Sequence, residues 1–212
     1  MDFKKEELTE DTLFATPFWS GNFKHIDNKA LEEWILNIKE NDKGRTVSNY
    51  GGWQSPFISN LQENGEDVSV FMDLIQTIRE CMGHIRFKNK PNDSVMTMWA
   101  NVNYKGDWNQ MHHHVDAYGT NLSGIYYVKC PENCGNFVFK DPRALMALDP
   151  FIKNWNMCGL RKTTPKSGDF YMFPPYLEHM VTPSESEETR ISLAWNVRFE
   201  GKYERGFYDA SE

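Results

Sequence analysis

The chain has 212 residues, 40% of them hydrophobic and 14% aromatic, which excludes a disordered polypeptide and allows a core without disulfide or metal staples. No apolar run reaches the roughly 18 residues needed to span a bilayer, and the polar start MDFKKEELTEDT is read as carrying no secretory leader. With 23 Lys and Arg against 30 Asp and Glu, net charge −7, there is no basic field to neutralise phosphates, so nucleic-acid binding is disfavoured.

Length favours one domain over residues 1–212, since domains usually run about 100–200 residues. Its expected parts are a helical support over 1–90, a β core over 91–200 and a tail over 201–212. Asp27 is a plausible N-cap for a helix whose apolar stripe is Leu31, Trp34, Ile35 and Ile38. A second helix is predicted from Asp67 to about Met82, with Val68, Phe71, Met72, Ile75, Ile78 and Met82 on one face. Glu66 and Asp67 suit the positive end of its dipole, and Gly83 should end it.

From about Val95 the period changes to two. Strands are predicted over 95–104, 111–117, 122–130, 136–140, 158–164, 169–173, 177–182 and 190–199, with turn formers between them, as in a β sandwich or barrel. Residues 142–157 form an insertion, either a lid or an apolar patch packed on the sheet, and the packed reading is preferred. Along 95–104, Met96, Met98, Ala100, Val102 and Tyr104 oppose Thr97, Trp99, Asn101 and Asn103. Along 190–198, Ile191, Leu193, Trp195 and Val197 oppose Arg190, Ser192, Ala194 and Asn196. The apolar faces match the helical stripes and should lie beneath them. The other faces carry Trp, Asn and Arg, which fits a polar cavity inside a sandwich better than a solvated surface.

The densest chemical signal is Gln110-Met111-His112-His113-His114-Val115-Asp116. On a strand, His112, His114 and Asp116 would share a side, and two neighbouring groups of the three could ligate one ion. His179 is the candidate third ligand from far along the chain, whereas His25 and His84 read as surface or cap histidines. Arg190 offers a planar fork of donors suited to a carboxylate. Cys81, Cys130, Cys134 and Cys158 match no zinc module, and the Cys130–Cys134 spacing is looser than a redox CxxC. They are read as reduced thiols, in keeping with a cytoplasmic location.

Together these residues resemble the Fe(II)- and 2-oxoglutarate-dependent oxygenases. The carrying motifs are Gly106-x5-His112-x-His114, Leu122-Ser123-Gly124-Ile125-Tyr126-Tyr127, Gly168-Asp169-Phe170, His179 and Arg190-x-Ser192. Asn-Tyr-Gly-Gly-Trp-Gln-Ser at 49–55, Trp-x-Asn-x-Asn at 99–103 and Asp-Pro-Arg at 141–143 narrow the likeness to one group of that superfamily, similar to prolyl hydroxylases. The resemblance implies a mainly β protein with N-terminal helices. Its fold would be a double-stranded β-helix, a cupin-like jelly roll with the helices on the outer face of one sheet.

It also implies Fe(II) and 2-oxoglutarate as cofactors, with O2 as co-reactant and a small molecule or a protein as substrate. His112, His114 and His179 would hold the metal. Arg190, Ser192, Tyr127, Asn101 and Asn103 would hold 2-oxoglutarate, and no catalytic residue is implied beyond the metal centre. His114 stands where most of the superfamily has Asp or Glu. Either the site has three histidines, or the register shifts by two and Asp116 supplies the carboxylate of the usual facial triad. The interval from Gly106 favours the first. Rival readings are a cupin-like metal protein that does not use 2-oxoglutarate, such as a three-His dioxygenase or isomerase, and a binding module with a degenerate His cluster. Substrate and oligomeric state are left open, a homodimer being compatible.

Overall fold

A computed structural model describes residues 15–86, 91–116, 119–143 and 159–201. The insertion expected at 142–157, Cys158 and the tail therefore lie almost wholly outside the described residues.

Strand β1 (Trp19–Asn22) precedes helix α1 (Asn28–Asn41), whose N-cap Asp27 accepts from the Ala30 amide at 3.0 Å, as predicted. Leu31, Ile35 and Ile38 are its buried face. Two two-residue strands follow, β2 (Asn49–Tyr50) and β3 (Trp53–Gln54), then α2 (Ile58–Glu63). The helix expected from Asp67 starts later, as α3 (Met72–Met82). The reason is local: the Asp67 carboxylate takes the Ser69 amide at 2.9 Å, and the chain first winds through a 3-10 turn at Ser69–Phe71. Met72 is exposed, while Phe71, Leu74, Ile78 and Met82 are buried. Gly83 caps α3 with ordinary helical φ, so it ends the helix without a left-handed turn.

The remaining strands are β4 (Asp93–Asn103), β5 (Trp108–His112), β6 (Leu122–Lys129), β7 (Phe137–Lys140), β8 (Leu160–Thr163), β9 (Asp169–Phe173), β10 (His179–Val181) and β11 (Arg190–Glu200). The strand expected at 111–117 is displaced: it runs from Trp108 and stops at His112, so His114 and Asp116 lie beyond it. All pairings among the described residues are antiparallel, in sheets ordered β1-β9-β6-β11-β4-β3 and β2-β5-β10-β7-β8. The architecture is mainly β in two sheets, the sandwich that the alternation pointed to and the jelly roll that the resemblance implied.

The helices cover the outer face of the first sheet. Leu31, Ile35, Phe71, Leu74 and Ile78 share one core with Met98, Ala100, Val102, Leu193, Trp195 and Val197. Trp195 fits because Gly124 on β6 has no side chain; an added Cβ would sit 2.1 Å from the indole. A second apolar cluster (Ile125, Tyr127, Phe137, Phe139, Tyr171, Phe173, Leu177 and Val181) lies between the sheets. Beside it the inner face turns polar and leaves a cavity of ≈ 250 Å³. Register aligns Gln54, Asn101, Ser192 and Tyr127 as one row across β3, β4, β11 and β6, and Asn196 beside Ser123 as another.

Candidate metal centre

His112 ends β5, His179 opens β10, and the two are register partners. His114, past the strand end, is placed by its amide, which donates to the Pro175 carbonyl at 2.8 Å. The three rings converge, with centroids 4.3–5.2 Å apart and one ligating nitrogen from each within 4.8 Å of the others. Metal–nitrogen bonds near 2.1 Å would draw the rings further inward.

Each Nδ1 is engaged. That of His112 lies 2.7 Å from the Gln110 carbonyl, and that of His179 lies 2.8 Å from the Leu177 carbonyl. That of His114 lies 2.6 Å from Asn196 Oδ1. These oxygens can only accept, so each Nδ1 donates and the Nε2 lone pairs are left to face one another. Burial drives all three pKa values down: His114 to about 4, His179 well below its ordinary value with help from its two neighbours, and His112 in the same direction. Three neutral imidazoles sharing a site make a ligand set for a cation. Phe137 stacks on His179 at 5.1 Å and Trp99 lies 6.0 Å from His114, which fixes the rings in an apolar wall.

Asp116 is not in this group. It is exposed, and its carboxylate accepts from the amide and hydroxyl of Thr120 at 3.1 and 3.0 Å. The geometry thus gathers His112, His114 and His179 rather than the register that uses Asp116. His113 is exposed, and His25 contacts Thr77 at 2.9 Å, far from the cluster.

The rest of the expected site divides. Arg190, Ser192, Tyr127 and Asn101 line the same cavity as the histidines. Asn103 is buried opposite Arg190 but does not line it. Arg190 is 2% exposed, and the described ion pairs include none to it; its Nη1 donates to the Cys134 carbonyl at 2.8 Å. The Tyr127 hydroxyl is fully buried with no hydrogen-bond partner, and burial holds its pKa well above the ordinary value, so it remains a proton donor. A buried cation with no counter-ion among the described residues and an orphaned donor in one cavity ask for an anion.

Two contributors were given no role from the sequence. Asn196 orients His114 and in turn accepts from Ser123 Oγ at 2.8 Å. Gln54, in a strand too short to show periodicity, extends the polar row. Asn196 was detectable: it shares the polar face of the last strand with Arg190 and Ser192.

Residues 97–196, from β4 to β11, match the model of the family described as "Putative 2OG-Fe(II) oxygenase". The resemblance seen in the motifs is therefore matched independently over the stretch that holds almost the whole site. Among curated proteins no relative matches. Solved structures share the fold at low identity. A prolyl-4-hydroxylase of Pseudomonas putida superposes with TM-score 0.62 at 12% identity, over 89% of this chain and 96% of its own. HygX of Streptomyces hygroscopicus, solved with nickel and 2-oxoglutarate bound, gives 0.59 at 14%, over 86% and 82%. The collagen prolyl hydroxylase of Paramecium Bursaria Chlorella virus-1, solved as a 2-oxoglutarate complex, gives 0.58 at 15%, over 87% and 96%.

Proposed function

We propose that this protein is an Fe(II)- and 2-oxoglutarate-dependent dioxygenase that hydroxylates its substrate and releases succinate and CO2. The observation that carries the reading is the buried Arg190, without an ion-pair partner among the described residues, in the same cavity as three convergent histidines. A dicarboxylate cosubstrate gives both groups work.

The residues fit both cofactors. Nε2 of His112, His114 and His179 would hold the metal, and the Nδ1 donors keep those atoms unprotonated. Arg190 would take the far carboxylate of 2-oxoglutarate as a two-point fork, with the Tyr127 and Ser192 hydroxyls donating to the same group. Asn101 and Gln54 continue that row towards β3. Bound together, iron and 2-oxoglutarate supply the oxidising equivalent drawn from O2. The protein orients them, and the Phe137, Phe173 and Trp99 walls limit water. The substrate is a molecule that reaches the ion from the open side of the cavity.

A specific observation favours a second reading: three neutral histidines with no carboxylate resemble a cupin-like three-His dioxygenase or isomerase that does not use 2-oxoglutarate. One experiment separates the two. Fe(II) and then 2-oxoglutarate are added anaerobically while the visible metal-to-ligand charge-transfer band is followed. The band supports the first reading; iron bound without a band supports the second.

A further inference from the structure

The turn between β6 and β7 carries a dithiol that the proposed chemistry does not use. Cys130 Sγ and Cys134 Sγ lie 2.9 Å apart, and both are free thiols. Cys134 is 2% exposed and Cys130 half-buried, so two nucleophiles are held in contact rather than on the open surface. The turn is built to hold them there: Asn133 and Gly135 have φ of 58° and 88° on either side of Cys134, and the Cys130 amide donates to Ser167 Oγ at 2.9 Å. The Asn133 carbonyl in turn receives the Glu185 amide at 2.8 Å.

This turn is also the seat of Arg190, whose guanidinium donates to the Cys134 carbonyl. Gly135 packs so closely there that a Cβ would sit 2.4 Å from the Thr182 carbonyl oxygen and 3.1 Å from Arg190 Nη1.

We propose that Cys130 and Cys134 are a reversible dithiol–disulfide site, oxidised by hydrogen peroxide, that loosens the hold of Arg190 on the cavity anion when it closes; this last effect rests on the function proposed above. Hydrogen peroxide is a small uncharged oxidant, which suits a sulfur held away from the open surface. Cys134 is assigned as the nucleophile: it lies beside the Arg190 guanidinium that binds its own carbonyl, and the hydrogen bond shared with Cys130, together with that cation, lowers its pKa. Its thiolate attacks one peroxide oxygen. An S–O bond forms as the O–O bond breaks, and the leaving hydroxide takes a proton to become water. Cys130 sulfur then attacks the Cys134 sulfenic sulfur. The S–S bond forms, the S–O bond breaks, and the departing hydroxide leaves as water with the Cys130 proton. Two thiols lose two electrons and two protons, and the peroxide becomes two waters.

Bonding brings the sulfurs about 0.9 Å closer than their present 2.9 Å. The turn is pinned at both ends, Cys130 through Ser167 and Asn133 through Glu185, so the closure is taken up between them, where the Cys134 carbonyl holds Arg190.

The test uses the full-length protein with equimolar peroxide. Trypsin releases both cysteines in one peptide, Cys130–Lys140. It should become lighter by two hydrogens, resist alkylation and revert with dithiothreitol. The 2-oxoglutarate Kd, measured with Mn(II) in place of iron so that no turnover occurs, should rise about tenfold on oxidation, the loss of one hydrogen bond to a charged group. Cys130→Ser should leave that Kd indifferent to peroxide. Two thiols that stay alkylatable, or that gain oxygen separately without joining, overturn the site. A disulfide that leaves the Kd unchanged overturns its link to Arg190. Reduced protein that binds no 2-oxoglutarate counts against the proposed function, while the peptide mass still decides the dithiol.

Discussion

Arg190 is a test at the level of one side chain. Arg190→Ala should weaken 2-oxoglutarate binding by about 2–5 kcal/mol, the cost of removing one partner of a buried charge pair, while Fe(II) affinity changes little because Arg190 is not among the clustered histidines. Titration calorimetry of both ligands checks it; unaltered 2-oxoglutarate affinity in a folded variant removes Arg190 from the site. Asn196→Leu deletes the acceptor that orients His114 and should lower metal affinity about 10–100-fold. Metal-binding titration with a far-ultraviolet circular dichroism control separates that from unfolding. The ligand register is decided by a pair: His112→Ala should lose Fe(II) and Asp116→Ala should keep it, with the reverse pattern restoring the carboxylate triad.

Among elements, the bond between the helical layer and the first sheet is measurable. Tyr126 on β6 donates its hydroxyl to Asn28 Oδ1 at 2.8 Å, at the start of α1, and burial lifts its pKa to about 12. An unfolded tyrosine ionises near 10, so the raised folded value leaves stability intact below pH ~10 and removes it as pH rises from ~10 towards ~12. Tyr126→Phe should lose the hydrogen bond, about 0.5–1.5 kcal/mol at neutral pH, and flatten the alkaline limb of a denaturant-midpoint profile; an unchanged limb assigns the loss of stability to another group. The same layer shows what the sequence could reveal. α1, β4 and β11 were legible because Leu31, Ile35, Met98, Ala100, Leu193 and Trp195 repeat with the period of their element. β1, β2, β3 and α2 were not, because two to six residues hold too few apolar positions to establish a period. β5 was misplaced because His112-His113-His114 alternates like a strand although the ladder pairing ends at His112. The histidines themselves were legible by type and spacing; Asn196 and Gln54 act through contacts 82 residues away or across sheet register, which no local pattern records.

For the molecule as a whole, metal and fold should be linked. Three depressed imidazoles and a guanidinium with no ion pair among the described residues are desolvated polar groups kept at some cost. Filling the cavity should raise the unfolding midpoint, by about 2.7 kcal/mol of stability for a ligand at 100 times its Kd. Anaerobic calorimetry with Fe(II), with 2-oxoglutarate and with both checks this; the two together should exceed either alone, and no shift with Fe(II) would remove the histidines as a metal site. No described helix is long and apolar enough to cross a membrane.

His112 and His179 face each other across the β5–β10 ladder, so neither can shift without unpicking main-chain bonds, whereas His114 sits past the end of the strand. The centre is thus two fixed posts and one interchangeable peg. A lineage could swap that peg for an acid, adding one negative charge to the ion's surroundings, without rethreading the sheet. Under the proposed ligand set, the charge around the ion would thus be set at a position outside the ladder, apart from the strands that carry the other two groups.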